Sequence, residues 1–534
     1  MIDVLKSFMR DREANYAMML GVLAVPLVGA VGLTVDYTNA MNVRSSLQNA
    51  ADSAVLSLAR AHYGTLSEAE AFQIATDMLD ANFAGSYKNL TIDRDGNEWR
   101  LGATAVADNP FALFKAGSTI DMKIESRAAY SDMSYEIALV LDTTGSMEGT
   151  KLADLKIAAK TMVETMTEDI SDTSKIKFSL VPFSTFVNVG PQFAPTFRND
   201  GTLESAGASW LDTWGQNPAT NGDLPTGLSR FQLYDLMGKT WRGCVETRDP
   251  VNYKAYDTTL APVSSDPRSL FVPTFHIDDS DSYSARPNNW LNDSSRAVSV
   301  DGNASSLAKR LAVYGVPYAN GQVGDRSTWR KPTINDSSSR YYSNYSEPMG
   351  PGFFCDSKPI VPLTTDYGKI LDAIDGLKAL GNTNIFEGMM WGWRTLDDAE
   401  PFTEGRPRNA HNNEKIVILL TDGNNAWNRM SNNRYSSYSS FGFLADQRLV
   451  ARNSNDSTIR SAMDSKTLAG CTNAKADDIT IYTIRLDLQD SNSANLMRDC
   501  ATTPQHFFDV PDSSTLQSTF EEIRHRINRV RITS

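Results

Sequence analysis

The chain has 534 residues, which is too long for one compact core and predicts about two to four structural units. Hydrophobic residues make up 41% and charged residues 22% of the sequence, an ordinary globular composition that excludes wholesale disorder and collagen-like or coiled-coil architecture. The formal net charge of -13 argues against a nucleic-acid partner, because phosphate recognition needs a basic field.

A membrane-spanning helix is predicted at residues 14–35. This stretch has no charged side chain, and ~20 apolar residues in a helix cross a bilayer core of ~30 Å. Basic residues precede it, whereas Asp36 is the first charge after it, so the positive-inside rule predicts a cytoplasmic stub over residues 1–13. The expected location is the inner (cytoplasmic) membrane, with the bulk of the chain periplasmic or extracytoplasmic. A cleaved signal peptide is the alternative, but its apolar region would be only ~7–15 residues long.

Residues 36–130 are predicted to form a small α+β segment. Apolar residues at helical spacing run from Tyr37 to His62, and the capping box at Ser67 and Glu70 opens a second helix that ends near Phe83. Three segments of alternating polarity follow, as is typical of strands: residues 89–93, 98–106 and 118–130. A membrane helix that continues into a soluble helix and a small antiparallel sheet is a pilin-like arrangement.

From residue 131 to the end, strands alternate with helices. This pattern predicts a doubly wound α/β fold, a mostly parallel sheet with helices on both faces. The predicted strands and helices are Ile137–Leu141, Leu152–Met166, Ile176–Phe183, Tyr367–Leu377, Ile416–Leu420, Ile479–Ile484 and Thr515–Ile527. Two polar stretches interrupt the pattern. The first, about 190–354, is too long for a structureless loop and predicts an inserted subdomain, and the second is a smaller insertion at about 427–457.

The larger insertion holds five tryptophans, Trp210, Trp214, Trp241, Trp290 and Trp329. Such residues either form a binding surface or fill the core of a small subdomain. We favour the core, because buried aromatic side chains dominate core energetics.

Four cysteines are present, Cys244, Cys355, Cys471 and Cys500. An even count in an exported domain suggests two disulfides, and the simplest of three possible connectivities joins 244 to 355 and 471 to 500. Free thiols in a reducing compartment are the weaker alternative. Because no CxxC pair exists, a redox or zinc-ribbon role has no support.

Five oxygen-bearing side chains lie where strands end or helices begin. Asp142, Thr144 and Ser146 follow the first strand of the sheet, Thr383 lies just before a helix, and Asp422 follows the Ile416 strand. Because parallel strands place their ligands at the carboxyl edge of the sheet, we expect these side chains to converge. Helix capping alone explains one or two of them but not all five.

This donor set predicts a site for a hard cation. Mg²⁺ is the expected metal and Ca²⁺ or Mn²⁺ the alternatives, because all five side chains offer oxygen. With hydroxyls dominant, the cation keeps enough positive charge to attract a further anionic ligand. Glu387, one turn into the helix after Thr383, either faces this site or has a supporting or surface role.

The three elements resemble the metal-ion-dependent adhesion site (MIDAS) of von Willebrand factor type A (VWA) domains, with the pattern DxSxS…T…D. Asp142, Thr144 and Ser146 match its first element, Thr383 the lone threonine and Asp422 the distal aspartate. The resemblance implies a VWA fold in which hydroxyls contact the metal directly or through water and the aspartates act mostly through water. It also implies a protein ligand that presents an Asp or Glu carboxylate. Thr144 departs from the usual serine and adds a methyl group beside the metal.

Both ends of the chain are similar to TadG-like proteins of the bacterial Tad (tight adherence, Flp) pilus system. The similarity is carried by residues 10–60, which begin RDREANYAMML, and by residues 471–534, which begin CTNAKADDITI. It implies a role in pilus assembly or anchoring, with pilus or envelope components as partners.

Catalysis and nucleotide binding are not expected. The glycine-containing stretch Gly145–Lys151 lacks the GxxxxGK[ST] spacing of a phosphate loop. There is no GxSxG motif, and no histidine lies in the predicted site. The primary hypothesis is therefore a non-enzymatic, membrane-anchored binding protein. The alternative is a structural envelope scaffold that acts through its pilin-like helix, with a metal site that is not essential.

Overall fold

The computed structural model describes residues 12–60, 66–95, 98–109, 118–129, 133–168, 172–218, 224–248, 261–278, 290–291, 304–334, 350–431, 434–488 and 490–527. Most of the predicted cytoplasmic stub, residues 1–11, lies outside the described residues. The chain divides into two compact units, Met1–Asp132 and Met133–Ile527.

The first unit begins with one continuous helix, α1 (Arg12–Arg60), which joins the predicted membrane segment to the helix that follows it. Large apolar side chains are exposed along α1 from Met19 to Val35. Within the described part of the chain, this is the one helix long and apolar enough to cross a membrane, by length and composition. Farther along, α1 buries a stripe of small and apolar residues from Leu47 to Ala59. The two halves of the helix therefore have different surroundings.

The stripe of α1 packs with α2 (Glu68–Asn82) and a three-stranded antiparallel sheet in the order β1-β2-β3. The strands are β1 (Ser86–Asp95), β2 (Glu98–Asn109) and β3 (Ser118–Ala129). The predicted capping box of α2 is present, since Glu70 N donates to Ser67 Oγ at 3.3 Å and Ser67 N donates to Glu70 Oε2 at 3.0 Å. The helices and strands predicted for this segment are all found.

The second unit contains a mixed α/β sheet and the two insertions. Its first elements are β4 (Ser134–Asp142), α3 (Thr150–Thr167) and β5 (Ile176–Phe183). The larger insertion carries β6 (Thr196–Phe197), β7 (Leu203–Ser205), α4 (Arg230–Met237), α5 (Ala304–Val313), β8 (Tyr318–Ala319) and β9 (Gln322–Val323). The remaining elements are β10 (Val361–Thr364), α6 (Tyr367–Asp375), α7 (Ile385–Thr395), β11 (Asn413–Thr421), α8 (Asp456–Ala476), β12 (Ile479–Leu486), α9 (Ser491–Cys500), β13 (Phe507–Val510) and α10 (Leu516–Ile527).

The six-stranded sheet has the order β10-β5-β4-β11-β12-β13. Its neighbouring strands are parallel except at one edge, where β10 is antiparallel to β5. The chain leaves β4 towards β5 on one side and leaves β11 towards β12 and β13 on the other. The topological switch point of the sheet therefore lies between β4 and β11, and open α/β sheets bind ligands at such points.

Both faces of the sheet are covered, because successive side chains of a strand point to opposite faces. Ile137, Leu139 and Leu141 of β4 pack in a core with α3, α6 and α10. Ala138 and Val140 pack in the opposite core with α7, α8, α9 and the insertions. This arrangement agrees with the predicted mostly parallel sheet.

The larger insertion is built around buried aromatic side chains. Trp210, Trp241, Trp290 and Trp329 are buried, whereas Trp214 is 40% exposed. The interpretation of these tryptophans as core residues is therefore confirmed for four of the five. Both predicted disulfides are present, Cys244–Cys355 and Cys471–Cys500.

A buried charge cluster joins the two insertions. Glu246 accepts hydrogen bonds from Arg230 Nη1 at 2.7 Å, Arg448 Nη1 at 2.6 Å and Tyr438 Oη at 2.5 Å. Burial alone would raise the pKa of Glu246, but the two guanidinium groups hold it below its usual value. Because Tyr438 and Arg448 belong to the smaller insertion, separating the two insertions would remove two of the three donors of Glu246 and would leave Arg448 without this carboxylate.

Candidate functional site

The candidate site lies at the carboxyl edge of the sheet, at the switch point between β4 and β11. Asp142 ends β4, and Asp422 directly follows β11. The register pairs Leu141 with Leu420, so the two strands end at the same level. The loop between α6 and α7 brings Thr383 to the same edge, where Gly145 N donates to Gly381 O at 3.0 Å.

Four of the five predicted oxygens form a continuous chain of contacts. Thr383 Oγ1 donates to Thr144 Oγ1 at 3.4 Å, and Thr144 Oγ1 lies 3.0 Å from Ser146 Oγ. Ser146 Oγ in turn donates to Asp422 Oδ1 at 2.6 Å. Side chains separated by up to 276 positions in the sequence are thus brought within hydrogen-bond distance of one another.

Asp142, the fifth predicted residue, contacts the backbone of this cluster and the end of β11. Its Oδ1 accepts from Thr144 N at 2.8 Å, and its Oδ2 accepts from Thr421 Oγ1 at 2.6 Å. Burial, and then the nearby Asp422 carboxylate, raise the pKa of Asp142 to about 7, although these hydrogen bonds act in the opposite direction. The site therefore holds two carboxylates whose mutual repulsion favours a cation beside them.

Two glycines allow the loops to approach this closely. Gly381 has φ +86°, and a Cβ there would lie 2.8 Å from Thr185 Oγ1. A Cβ on Gly423 would lie 2.8 Å from Thr383 Oγ1. Since real Cβ atoms do not come this near to other atoms, a side chain at position 381 would displace Thr185 beside the loop, and one at position 423 would displace Thr383 of the site.

The site is buried except at one point. Asp142, Thr144, Thr383 and Asp422 are each at most 6% exposed, whereas Ser146 is exposed. Ser146 is therefore the point at which an external group reaches the cluster. No group of three or more His, Cys, Asp or Glu that could hold a metal occurs among the described residues, so any ligand set here depends on the hydroxyls.

Sequence reasoning missed three residues around the site. Thr421 orients Asp142, as described above. Lys151 Nζ donates to Asp422 Oδ2 at 2.9 Å and lies 3.2 Å from Asp487 Oδ2. Partial burial alone would lower the pKa of Lys151, but its bonds to Asp422 and Asp487 raise it. Asp487 follows β12, the strand beside β11, so its position at the end of a neighbouring strand is the signal that could have indicated it.

Glu387 does not face the site. It is buried and accepts from Thr247 Oγ1 and from Trp391 Nε1. Its pKa is raised, because burial disfavours the charged form. Since Thr247 belongs to the larger insertion, Glu387 joins that insertion to α7.

Hydrogen bonds also hold the smaller insertion beside the site. Asn384, the N-cap of α7, donates through Nδ2 to Ser440 Oγ at 3.0 Å and accepts from Glu387 N at 3.4 Å. Ala426 N donates to Thr383 O at 2.9 Å. The loop between α6 and α7 is therefore held by Ser440 and by Ala426, and these contacts fix the position of Thr383.

Residues 15–61 match the family model described as putative Flp pilus-assembly TadE/G-like. The match falls along α1 and confirms the resemblance that the N-terminal sequence predicts for this segment. A comparison with curated proteins finds no match.

Solved structures similar to this chain include three pilus proteins. The vWF domain of the type V pili tip protein Mfa5 from Porphyromonas gingivalis is 10% identical, with a TM-score of 0.31 over 75% of this chain and 98% of that one. The adhesive tip pilin GBS104 from Group B Streptococcus agalactiae is 9% identical, with a TM-score of 0.33 over 74% and 100%. The pilus adhesin SpaC from Lactobacillus rhamnosus GG is 10% identical, with a TM-score of 0.32 over 83% and 34%, so the chain spans about a third of that adhesin. These TM-scores are too low to support an argument about function.

Proposed function

We propose that this chain is a membrane-anchored, extracytoplasmic component of Tad/Flp-type pilus assembly or adhesion that binds a partner protein and has no enzymatic role. In this proposal the α/β unit is a VWA domain, and the site at its switch point is a MIDAS. The observation that carries the proposal is the convergence of Thr144, Ser146, Thr383 and Asp422 from three separate loops.

The donor set fits a hard divalent cation, because each of its side chains offers oxygen. Mg²⁺ is the proposed ion. Ca²⁺ and Mn²⁺ are the alternatives.

The charges of the site support the same proposal. Burial and the neighbouring Asp422 carboxylate raise the pKa of Asp142, while Lys151 supplies one positive charge at Asp422. A bound divalent cation would add positive charge beside both carboxylates and would attract a further carboxylate. Asp142 is held by Thr421 and by the backbone of Thr144, so its part is to orient the loop and balance charge.

The partner would present an Asp or Glu side chain at Ser146, the exposed point of the site. Because hydroxyls are neutral ligands, the cation would keep net charge for this incoming carboxylate. The two insertions flank the site and would contribute the surface that selects the partner.

The features of α1 support both the membrane anchor and the link to pilus assembly. Its exposed apolar stretch from Met19 to Val35 requires a nonpolar environment, and the TadE/G-like match falls on this same helix. With the positive-inside rule, this supports an inner-membrane protein whose α/β unit lies outside the cytoplasm.

The test is the affinity of the full chain, in detergent micelles, for purified subunits of the pilus that it accompanies, with Mg²⁺ and with EDTA. We expect chelation, Asp142→Ala and Ser146→Ala each to weaken binding at least ~tenfold, which is ~1.4 kcal/mol. Ser146 is exposed, so its substitution leaves the fold intact and separates loss of the site from loss of structure. Unchanged affinity in EDTA and in both variants would defeat the proposal.

A structural scaffold is the second candidate, because the family match falls on α1 and not on the α/β unit. On this alternative, removal of residues 14–62 abolishes pilus assembly while Asp422→Ala leaves it intact. The primary proposal predicts that Asp422→Ala abolishes adhesion or assembly even when the chain remains in the membrane.

A further inference from the structure

A pocket lies in the α/β unit beside the candidate metal site. It encloses about 490 Å³, within the range of ~300–1,000 Å³ that is usual for ligand sites. Its floor includes the buried Trp241 and Cys355, and Leu380 forms part of its wall. None of the oxygen-bearing site residues lines it.

The pocket is preformed, because a disulfide and hydrogen bonds hold the residues that line it. The Cys244–Cys355 disulfide joins two distant parts of the larger insertion at the pocket floor. Asn188 fixes the adjoining wall, because its Nδ2 donates to Ser357 O at 2.9 Å and its Oδ1 accepts from Gly190 N at 2.9 Å. A pocket whose shape is already fixed loses little entropy when a ligand binds.

The pocket is cationic in a chain whose formal net charge is -13. Arg242, Lys358 and Lys378 line it, and Asp356 is the one acidic residue among the lining positions. Arg242 Nη1 pairs with Asp356 Oδ1 at 2.7 Å, which leaves the two exposed lysines as the excess positive charge. Because the rest of the surface repels anions on average, this local excess selects for an acidic ligand.

The pocket and the metal site are joined by a short, fixed segment. Leu380 N donates to Thr143 O at 2.7 Å, and the next residue, Gly381, accepts from Gly145 N at 3.0 Å. Thr383 is only three positions after Leu380, so their Cα atoms are at most about 11 Å apart. One extended peptide of a few residues is long enough to reach both places.

The geometry points to a two-point site for an acidic peptide segment of the partner protein. One carboxylate reaches the proposed metal site at Ser146, and a second acidic side chain of the same segment enters the cationic pocket lined by Lys358 and Lys378. Binding of the first carboxylate rests on the proposed function, whereas binding of the second depends only on the pocket. The pocket supplies the sequence preference that a lone carboxylate at a metal cannot provide.

The test uses a labelled hexaglutamate peptide as the probe and the full chain in detergent micelles, with fluorescence anisotropy as the readout. Lys358→Glu combined with Lys378→Glu should weaken binding about tenfold in Mg²⁺, because two attractions become repulsions. The matched control is Lys309→Glu with Lys369→Glu, which makes the same charge change at exposed positions outside the pocket and should change the affinity less than ~twofold.

Repeating both titrations in EDTA separates the pocket from the metal. An effect of EDTA without an effect of the pocket lysines overturns the pocket and leaves the proposed function standing. If the lysine substitutions weaken binding but EDTA does not, the metal-dependent part of the proposed function is overturned and the cationic pocket remains. Equal weakening by the control pair, equal binding of a labelled hexaglutamine peptide, or no measurable binding of hexaglutamate overturns the two-point site.

Discussion

Lys151 brings an ammonium group into the oxygen cluster of the candidate site, 2.9 Å from Asp422 Oδ2. This side chain is 24% exposed and the Asp422 side chain is fully buried, so solvent screens their attraction only in part. At the proposed metal site, a divalent cation and Lys151 would therefore compete for the same carboxylate. Lys151 would act as a tethered cation that lowers the affinity of the site for a free one.

Replacing Lys151 with Met should raise the affinity of the chain for Mg²⁺ about tenfold, equivalent to ~1.4 kcal/mol. The readout is calorimetric titration of the full chain with MgCl₂. Lys156→Met, on the same helix but bonded to Asp375 O, is the control and should leave the affinity unchanged. Equal or weaker Mg²⁺ binding by the Lys151 variant would show that the lysine organises the site and does not compete.

Thr144 offers a second test at the scale of one atom. Its Oγ1 contacts Ser146 Oγ at 3.0 Å and accepts from Thr383, and the side chain is 1% exposed. Thr144→Val removes this oxygen at nearly constant volume and should weaken Mg²⁺ binding at least ~tenfold, with a stability loss of only ~1 kcal/mol. Thr144→Ser keeps the oxygen and should bind as the original chain does. Equal affinities of the two variants, measured by the same titration, would remove Thr144 from the ligand set.

At this scale, the sequence pattern identifies the residues of the motif but not those that act on them. Asp142, Thr144, Ser146, Thr383 and Asp422 follow from a spacing rule and the ends of strands. Lys151, in contrast, reaches Asp422 from the first turn of α3, and its sequence position alone does not reveal that contact. Thr421 is likewise a strand residue whose hydroxyl has a role only because β4 lies beside β11.

His276, among the elements of the larger insertion, is enclosed by aromatic rings. The ring centroids of Phe353, Tyr438, Phe443 and Phe354 lie 5.5, 5.6, 5.8 and 6.1 Å from its own. Within the described residues, neither ring nitrogen has a hydrogen-bond partner. Burial, and then the positive charge of Arg434, lower the pKa of His276 from 6.5 to about 3.

His276 should therefore make the insertion sensitive to acid. Between pH 6.5 and 3 the unfolded chain binds a proton that the folded chain excludes, so stability is complete above pH 6.5 and falls as the pH is lowered, by at most ~1.4 kcal/mol per pH unit. His276→Phe suits the aromatic surroundings and should reduce the fall in melting temperature between pH 7 and pH 5. Identical falls in the two proteins would show that His276 does not set this dependence.

Strands and helices with a strong periodicity of apolar residues can be predicted from this sequence. The short strands at the edges of the sheet cannot. β5 is found at its predicted bounds, because Ile176, Phe178 and Leu180 give it the period of two that is typical of a strand. The edge strands β10 and β13 have four residues each, and α8 carries scattered polar residues, so none of them has a clear pattern. Their formation depends on the neighbouring strand or core that they cover.

For the whole molecule, the anchor is the feature with the most direct experimental consequence. Removing residues 1–35 should move the chain from the membrane fraction to the soluble fraction, because the exposed apolar part of α1 is lost. Fractionation with a mass measurement of the full chain tests this. If the protein expressed from the complete sequence is already soluble and its mass shows cleavage near residue 35, the signal-peptide alternative is supported.

The insertions are where prediction from the sequence ends for the molecule as a whole. Their polar composition indicates that a subdomain exists, and the tryptophans indicate that it has a core. The cluster of Arg230, Glu246, Tyr438 and Arg448 includes a direct contact between residues 208 positions apart, and local periodicity carries no information about such pairings. The cationic pocket arises in the same way, from lysines brought together by the fold.

A crystal structure of the chain grown with Mn²⁺, with anomalous diffraction measured to locate the ion, tests the proposed cation site most directly. We expect one strong anomalous peak at the switch point, within ~2.5 Å of Ser146 Oγ and of at least one of the other site oxygens. The absence of a peak there in a fully folded chain, or a peak only at another position, would contradict it.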